Sequence, residues 1–450
     1  MSEVAGPFCR RPRARTRGLR ALASVLLTVG TSVPSAAYAQ VLPSLPLPDV
    51  ELPIELPGAL PGVITPELER LAELRKVRID ALIRGNRDVI EADPKGAPII
   101  RHELLALAPS EAALAAAAAA GYAIARREAL AGFEGEMVVL LAPQGVSTRR
   151  ALAKLRKLDP QGTYEYNHIY LESGAAQATQ APTSGTAIEH EGAAAATRRV
   201  HLGLIDGGVD RTHPAFSGGS VVQYGCGGTL VPSAHGTAVA SLLVGRTARF
   251  QGAATGAVLF AFDVYCGRPT GGAVDAIAAA FAALAREQVA VINVSLVGPR
   301  NLILERVVGH ATVQGALVVA AVGNDGPHAP PLYPAAYDEV IAVTGVDRNR
   351  RLLVEAGRGE HVDFAAPGAD LSAAGVDGQF LAVRGTSFAA PLVAGLLANS
   401  MLAPGADNAR RAVDALAREA IDLGPRGVDT RYGKGLVGET LRVDPALAKE

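Results

Sequence analysis

The sequence of 450 residues contains no tryptophan and only three cysteines, and aromatic residues make up 4% of it. This scarcity of aromatic side chains argues against the stacking platforms that bind single-stranded nucleic acid. With a formal net charge of −1, the chain also lacks the basic excess used to bind phosphates. Charged residues are scarce at 19%, whereas 49% of residues are hydrophobic, which excludes a wholly disordered chain. We therefore predict two or three folded domains and no nucleic-acid partner.

Hydrophobic runs long enough to span a membrane are also lacking. The apolar run from Ala21 to Val33 falls well short of the ~20 residues that a spanning helix needs. It follows a basic stretch from Arg10 to Arg20 and precedes Ala37-Tyr38-Ala39, whose small residues suit a signal peptidase. We therefore predict a signal peptide over residues 1–39, a secreted or periplasmic product, and no transmembrane segment after its removal.

The few cysteines agree with export. Removal of the signal peptide takes Cys9 with it and leaves Cys226 and Cys266. An even number of cysteines in an oxidising compartment favours one disulfide. Two separate buried thiols are the alternative, because a sequence does not show how far apart two residues lie.

Residues 40–94 begin with a segment rich in proline and leucine, from Leu42 to Gly62. Prolines at this density exclude a helix and favour an extended chain. Thr65 then suits a helix N-cap and Pro66 the first helical position, so we predict a helix that ends near Gly85. The charged face of this helix is expected to be solvated surface.

Residues 95–173 show the periodicities of strands and helices in the order β-α-β-β-α-β. Ser110 and Ser147 begin the two predicted helices, and the last strand is expected to run from Thr163 to Leu171. His168 in that strand is expected at the surface. The order predicts a small ferredoxin-like α+β domain.

A linker and a larger domain follow. Residues 174–198 are rich in Ala, Gly, Thr and Ser without periodicity, which predicts an exposed linker open to proteolysis. Between residues 199 and 445, apolar strands alternate with alanine-rich helices. Because these strands are apolar throughout, we predict an α/β domain whose mainly parallel sheet is flanked by helices and buried on both faces.

Three segments of this larger domain carry an acid, a base and a hydroxyl nucleophile. Asp206 ends an apolar strand, His235 opens His-Gly-Thr, and Ser387 lies in Gly-Thr-Ser-Phe-Ala-Ala-Pro. Together they supply what acyl transfer requires. Taken singly, each has a structural alternative: a turn cap for Asp206, a core histidine for His235 and a helix N-cap for Ser387.

The chain order Asp, His, Ser and these motifs resemble the subtilisin-like serine peptidases. The resemblance implies that Asp206 orients the imidazole, His235 is the general base and Ser387 the nucleophile. The segment VVAAVGNDG is similar to the one that ends with the oxyanion asparagine of that family, which implies this role for Asn324; a turn residue is the alternative. The expected activity is that of an exported serine endopeptidase.

The same resemblance implies how a protein or peptide substrate binds. The peptide would lie as an added strand between Thr270-Gly271-Gly272 and Ser295-Leu296-Val297, with Ala321-Val322-Gly323 lining the first pocket. Val297 stands where the family usually has glycine, which predicts a narrower pocket that favours smaller or slender side chains. No organic cofactor is expected, and the sequence offers no clear calcium site or other metal site.

Position and pattern also imply a role for the small domain. Subtilisin-like enzymes commonly carry an N-terminal propeptide of this architecture, so residues 95–173 are expected to inhibit their own peptidase domain until the chain is cut, with a mature fragment that starts between Gly174 and Arg198. An unrelated adaptor domain is the alternative. For the whole chain, the alternative is a catalytically silent envelope scaffold whose proline-rich segment docks to a partner.

Overall fold

The computed structural model describes residues 66–130, 135–173, 175–177, 199–218 and 220–445, and the chain from Ile64 onward forms one compact unit. The predicted signal peptide, the whole proline-rich segment and most of the predicted linker lie outside the described residues. Helix α1 (Pro66–Gly85) begins and ends where the sequence predicts. Among the described residues, no helix combines the length and apolar character needed to cross a bilayer.

The small domain has the predicted element order. Its elements are β1 (Ile90–Ala92), β2 (Pro98–Leu107), α2 (Glu111–Ala119), β3 (Ala123–Ala129), β4 (Glu136–Leu141), α3 (Thr148–Leu158) and β5 (Thr163–His168). The sheet is antiparallel in the order β5-β2-β4-β3, and β1 also pairs with β2. Ser110 and Ser147 cap α2 and α3 as predicted, since each hydroxyl accepts a backbone N–H of the first turn. These features confirm the ferredoxin-like architecture.

Two expectations for the last strand of the small domain are wrong. The strand predicted from Thr163 to Leu171 ends at His168 in the structure. The chain continues into β6 (Leu171–Glu172), which is not part of the small sheet. His168 is buried and accepts a hydrogen bond at Nδ1 from the Asn301 side chain (2.9 Å). This burial follows because the larger domain covers the end of β5.

The larger domain contains the predicted parallel sheet. Seven strands lie in the order β15-β14-β13-β11-β8-β10-β9, and all their pairings are parallel. They are β8 (His201–Asp206), β9 (Val221–Gly225), β10 (Val258–Asp263), β11 (Val291–Val294), β13 (Leu317–Ala321), β14 (Val340–Val346) and β15 (Val362–Pro367). The shorter strands are β7 (Ala175–Gln177), β12 (Leu296–Val297), β16 (Leu371–Ala374) and β17 (Phe380–Arg384).

Helices cover both faces of this sheet. They are α4 (Ala234–Val244), α5 (Val274–Arg286), α6 (Leu302–Val313), α7 (Thr386–Ala398) and α8 (Ala406–Glu419). Helices α4 and α7 pack with one face, and α5 and α6 with the other. Because the sheet is parallel, the carboxyl ends of its strands lie along one edge, where polar side chains of successive loops can meet.

Candidate active site

Asp206 is the last residue of β8, near the centre of the sheet, and is fully buried. Its Oδ1 accepts hydrogen bonds from the backbone N–H of Gly207 (2.7 Å) and from Nδ1 of His235 (2.8 Å). A buried carboxylate in this position fixes the tautomer of the imidazole and leaves Nε2 to face the substrate.

His235 lies in the first turn of α4, which Ser233 caps through a hydrogen bond from the Gly236 N–H (2.9 Å). Burial alone would lower the pKa of His235. The carboxylates of Asp206 and Glu172 and the hydrogen bond to Asp206 outweigh that effect and raise the pKa to about 9. The imidazolium is therefore the favoured form at neutral pH in this arrangement.

Ser387 lies in the first turn of α7, which begins at Thr386. The residue before the helix is Gly385, whose φ is +139°. Glycine permits this backbone conformation, which L-residues with a side chain rarely adopt. The Ser387 hydroxyl is buried and donates to the backbone carbonyl of Ser295 (3.5 Å). Helix α4 packs against α7, and the rings of His235 and Phe388 lie 5.4 Å apart, so the two helix starts are close to each other.

Asn324 lies in the loop after β13, and both ends of its amide are engaged. Its Oδ1 accepts from the Thr386 backbone N–H (3.0 Å), and its Nδ2 donates to the hydroxyl of Ser173 (2.9 Å). The first bond orients the amide, so its N–H groups point toward the chain that crosses the cleft. This orientation is what an oxyanion donor needs.

The chain itself occupies the cleft. Residues Ile169 to Ser173, here called the inserted segment, include β6, which pairs antiparallel with β12. The Ser173 N–H donates to the Ser295 carbonyl (3.4 Å), the same carbonyl to which Ser387 donates. Beyond Ser173, β7 pairs antiparallel with β17. The chain thus crosses the candidate triad with Ser173 at its centre.

The opposite wall of the cleft contacts the inserted segment through Gly272, the last residue of the predicted stretch Thr270-Gly271-Gly272. The Tyr170 N–H donates to the carbonyl of Gly272 (2.8 Å), and the Tyr265 hydroxyl donates to the Tyr170 carbonyl (3.0 Å). Among the described residues, Thr270 and Gly271 form no hydrogen bond with the inserted segment. Gly271 instead packs closely against Tyr265, because a Cβ at position 271 would lie 2.4 Å from the Tyr265 backbone.

The stretch predicted to line the first pocket directly precedes Asn324, whose amide donates to the Ser173 hydroxyl. Ala321, Val322 and Gly323 form the end of β13 and the loop after it, and all three are buried. A Cβ on Gly323 would lie 3.6 Å from Val297 Cγ1, so Val297 lies beside the predicted lining of the pocket. That Val297 narrows the pocket stays a prediction.

Sequence reasoning missed the contacts of Tyr170. Its ring is fully buried, its hydroxyl donates to the Pro299 carbonyl (2.5 Å), and a Cβ on Gly298 would lie 2.7 Å from the ring. No motif marks Tyr170, because the residues that surround its ring belong to a loop far away in the sequence. The sequence around Tyr170 therefore carries no local signal that could have identified it.

Arg75 was also missed, and the expectation that the charged face of α1 is solvated is wrong at this residue. Its Nε lies 3.1 Å from Asp325 Oδ2, and its Nη2 donates to the Val297 carbonyl (3.5 Å). The acidic partner directly follows Asn324, so α1 reaches the edge of the cleft.

A disulfide joins Cys226 and Cys266, whose Cα atoms are 5.3 Å apart. The described residues include two clusters of three side chains that could hold a metal ion. One contains both disulfide sulfurs, which are not thiolate ligands. The other contains Glu172 together with Asp206 and His235, which are hydrogen-bonded to each other. Neither is a set of oxygen donors alone, the kind that calcium prefers, and independence of cofactors and calcium stays a prediction.

The comparisons agree with this geometry. A family model described as the Subtilase family matches residues 197–435, more than half of the chain. Subtilisin DY from Bacillus licheniformis is 31% identical over 246 residues, which cover 53% of this chain and 88% of that protein. The minor extracellular protease Epr from Bacillus subtilis (strain 168) is 33% identical over 148 residues. That match spans 33% of this chain and only 23% of the length of Epr.

The fold extends the likeness beyond the matched region. The crystal structure of fervidolysin from Fervidobacterium pennivorans, described as a keratinolytic enzyme related to subtilisin, superposes with a TM-score of 0.60. It covers 78% of this chain and 62% of that chain at 18% identity, which shows the fold alone. Together with the family model, these matches show that the chain belongs to the subtilase family of serine peptidases.

Proposed function

We propose that the chain is an exported serine endopeptidase, made as a zymogen, that cuts its own chain after Ser173. The observation that carries this proposal is the inserted segment, which lies along β12 as an added strand and ends between Ser295 and Asn324. Peptides that bind in this way satisfy their backbone groups first, so the site accepts many sequences. Proteins and peptides are therefore the proposed substrates.

In the acylation step, Ser387 Oγ attacks the carbonyl carbon of Ser173 while its proton passes to Nε2 of His235. Asp206 stabilises the imidazolium through the bond to Nδ1. The peptide bond between Ser173 and Gly174 breaks, and His235 returns the proton to the leaving nitrogen of Gly174. Water then hydrolyses the acyl-enzyme with His235 again as the base.

The oxygen of the attacked carbonyl becomes negative in the tetrahedral intermediate. Asn324 is the proposed donor to it, because its amide is already oriented by the Thr386 N–H. The hydrogen bond that its Nδ2 now forms with the Ser173 hydroxyl lies close to the reacting carbonyl. Loss of one such donor typically lowers turnover by about 10²–10³-fold.

The zymogen role rests on the contacts between the two domains. The small sheet presents Arg126 and Asn167 to Asp275 in the first turn of α5, where Asn167 Nδ2 donates to Asp275 Oδ1 (2.9 Å). Asn301, the N-cap of α6, donates to the Tyr166 carbonyl (3.0 Å). These contacts hold the inserted segment in the cleft, where it excludes other substrates.

Export is proposed from the signal-peptide pattern of residues 1–39 and agrees with the disulfide, since disulfides persist in oxidising compartments. The proposed location is outside the cytoplasm, either secreted or periplasmic.

A fluorophosphonate probe separates this function from that of a silent scaffold. The processed protein should react with the probe at Ser387, and peptide mapping should find one modified serine. The Ser387→Ala variant, which lacks only the hydroxyl, is the matched control and should not be labelled. If the folded, processed protein fails to react and cuts no peptide, the peptidase proposal fails.

A further inference from the structure

Helix α1 precedes the ferredoxin-like elements of the small domain, yet it contacts the substrate cleft. Its residue Arg75 forms an ion pair with Asp325 (Nε to Oδ2, 3.1 Å) and donates from Nη2 to the Val297 carbonyl (3.5 Å). The Arg75 and Asp325 side chains are largely buried, at 18% and 14% exposure. Because solvent and salt screen such a pair less than a surface pair, the contact can contribute to holding the precursor together.

Arg75 contacts the same two walls of the cleft as the inserted segment. On one wall, Arg75 binds the carbonyl of Val297, a residue of β12, the strand that pairs with β6. On the other wall, Asp325 directly follows Asn324, the partner of the Ser173 hydroxyl. Arg75 thus joins the two walls that hold the residues before the proposed cut.

A second cation of α1 acts on the inserted segment itself. Burial raises the pKa of Glu172, as do two neighbouring carboxylates, and the positive charges of His235 and Arg78 act against that rise. Burial also raises the pKa of Asp325, and the charges of Arg75 and Arg78 oppose it. The cations of α1 therefore favour the charged form of one carboxylate in the inserted segment and of one in the peptidase domain.

The attachment of α1 to the small domain determines what happens to these contacts after a cut. Helix α1 ends at Gly85, β1 begins at Ile90, and α1 packs against both β1 and β2. Cleavage of the bond after Ser173 leaves α1, the small domain and the inserted segment in one fragment. The contacts of Arg75 are therefore still available in the cleaved complex, and they must break before this fragment leaves the cleft.

We propose that α1 is a second inhibitory element, which bridges the two walls of the cleft through Arg75 and delays release of the propeptide after the first cut. The inference rests on the proposed zymogen function and adds a regulatory step to it, the release of α1. Without α1, the small domain and the inserted segment would leave the cleft sooner.

The test follows the purified precursor after refolding, with one assay for the cut and another for activity. Gel electrophoresis measures loss of the full-length chain, and hydrolysis of a chromogenic peptide measures free enzyme. In the unmodified protein, activity should lag behind the cut, because cleaved chains are still inhibited. Arg75→Gln should shorten this lag by about 10-fold, since hydrogen bonds between charged groups are among the stronger polar contacts.

Lys76→Gln is the matched control. It removes the same charge from the next residue of α1, whose side chain is 69% exposed, and should leave the lag unchanged. Both variants release the same mature enzyme, because α1 is removed with the propeptide. The final activity per enzyme molecule should therefore be equal in all samples.

Arg75→Lys keeps the measurement possible if Arg75→Gln does not refold. Lysine retains the charge but lacks the planar group with which Arg75 contacts both walls, so the lag should shorten by a smaller factor. Activity that appears together with the cut in the unmodified protein, or a lag in the Arg75 variants equal to that of Lys76→Gln, would overturn the inference and leave the peptidase function intact. A refolded precursor that neither cuts itself nor hydrolyses the peptide would instead refute the peptidase function.

Discussion

The two faces of the small sheet differ in what covers them. One face packs against α2 and α3, and its core of Leu104, Leu140, Leu152 and Leu155 lies entirely within the small domain. The other face, with Leu105, Met137 and Val139, is continuous with the core that α5 and α6 form in the larger domain. The first face stabilises the small domain itself, and the second joins it to the larger domain. Part of the apolar surface that the small domain buries therefore depends on the larger domain.

The most direct test of this difference is to make the same Leu-to-Ala substitution on each face of the small sheet, in a Ser387→Ala precursor that stays intact. Leu152→Ala should lower the free energy of unfolding of the small domain by about 2–5 kcal/mol, because it leaves a cavity in that domain's own core. Hydrogen exchange should then show faster exchange confined to the small sheet and its helices.

Leu105→Ala is the matched control on the opposite face, where the larger domain covers the side chain. Its effect on hydrogen exchange should extend into α5 and α6. Identical exchange patterns for the two variants would show that the two faces do not differ in the way described.

The disulfide offers a contrast within the larger domain. Replacing Cys226 and Cys266 by serine should lower the free energy of unfolding of the mature enzyme by about 2–4 kcal/mol, because the bridge closes a loop with a sequence separation of 40. Denaturant unfolding of the two proteins measures this loss. Peptide mapping without reductant should find the pair in the exported protein, and two freely alkylated thiols there would contradict the prediction.

Substitution of Glu172 should have the smallest effect of these changes, and the effect should be seen only in the precursor. One carboxylate oxygen each of Glu172 and Asp206 and one ring nitrogen of His235 lie within 4.8 Å of one another, and Glu172 helps to raise the pKa of His235 to about 9. Since the base must be neutral, self-cleavage should speed up as pH rises toward that value. Glu172→Gln removes the charge, which lowers the pKa of His235 and should move the midpoint of this rise to lower pH.

The measurement is the rate of precursor loss against pH after refolding. The mature enzyme is the control, because Glu172 is removed with the propeptide. Peptide hydrolysis should therefore have the same pH profile whether the mature enzyme comes from the unmodified precursor or from Glu172→Gln. Midpoints that coincide, or a midpoint that moves upward in Glu172→Gln, would contradict the assignment.

The raised pKa of His235 also stabilises the folded precursor below pH 6.5, and this contribution is lost as pH rises from 6.5 to about 9.

What the sequence could predict depended on how local each signal is. The caps at Ser110 and Ser147 and the alternation of strand and helix are local, and the structure has them. The motifs around Asp206, His235 and Ser387 are each short, and their order along the chain predicts that they form one site. Asp206 and His235 are hydrogen-bonded to each other in the structure. The disulfide partners could be named because only two cysteines remain after the signal peptide.

The errors share a different cause. The predicted strand from Thr163 to Leu171 divides after His168, because the cleft of the larger domain, more than a hundred residues further along, offers β12 as a new partner. His168 is buried for the same reason. The contact of Arg75 with Asp325 joins residues 250 positions apart and has no signature in either segment. Each error concerns residues whose environment is set by the other domain.

The most direct test of the account is the mass and N-terminal sequence of the processed protein beside those of Ser387→Ala. The account predicts a first mature fragment that begins at Gly174, a released propeptide that ends at Ser173, and a Ser387→Ala chain that keeps both parts joined. Processing of Ser387→Ala at the same bond, in a host that lacks other exported proteases, would contradict cleavage by the chain's own Ser387. A first cut at another bond would contradict the position of Ser173 as the residue attacked.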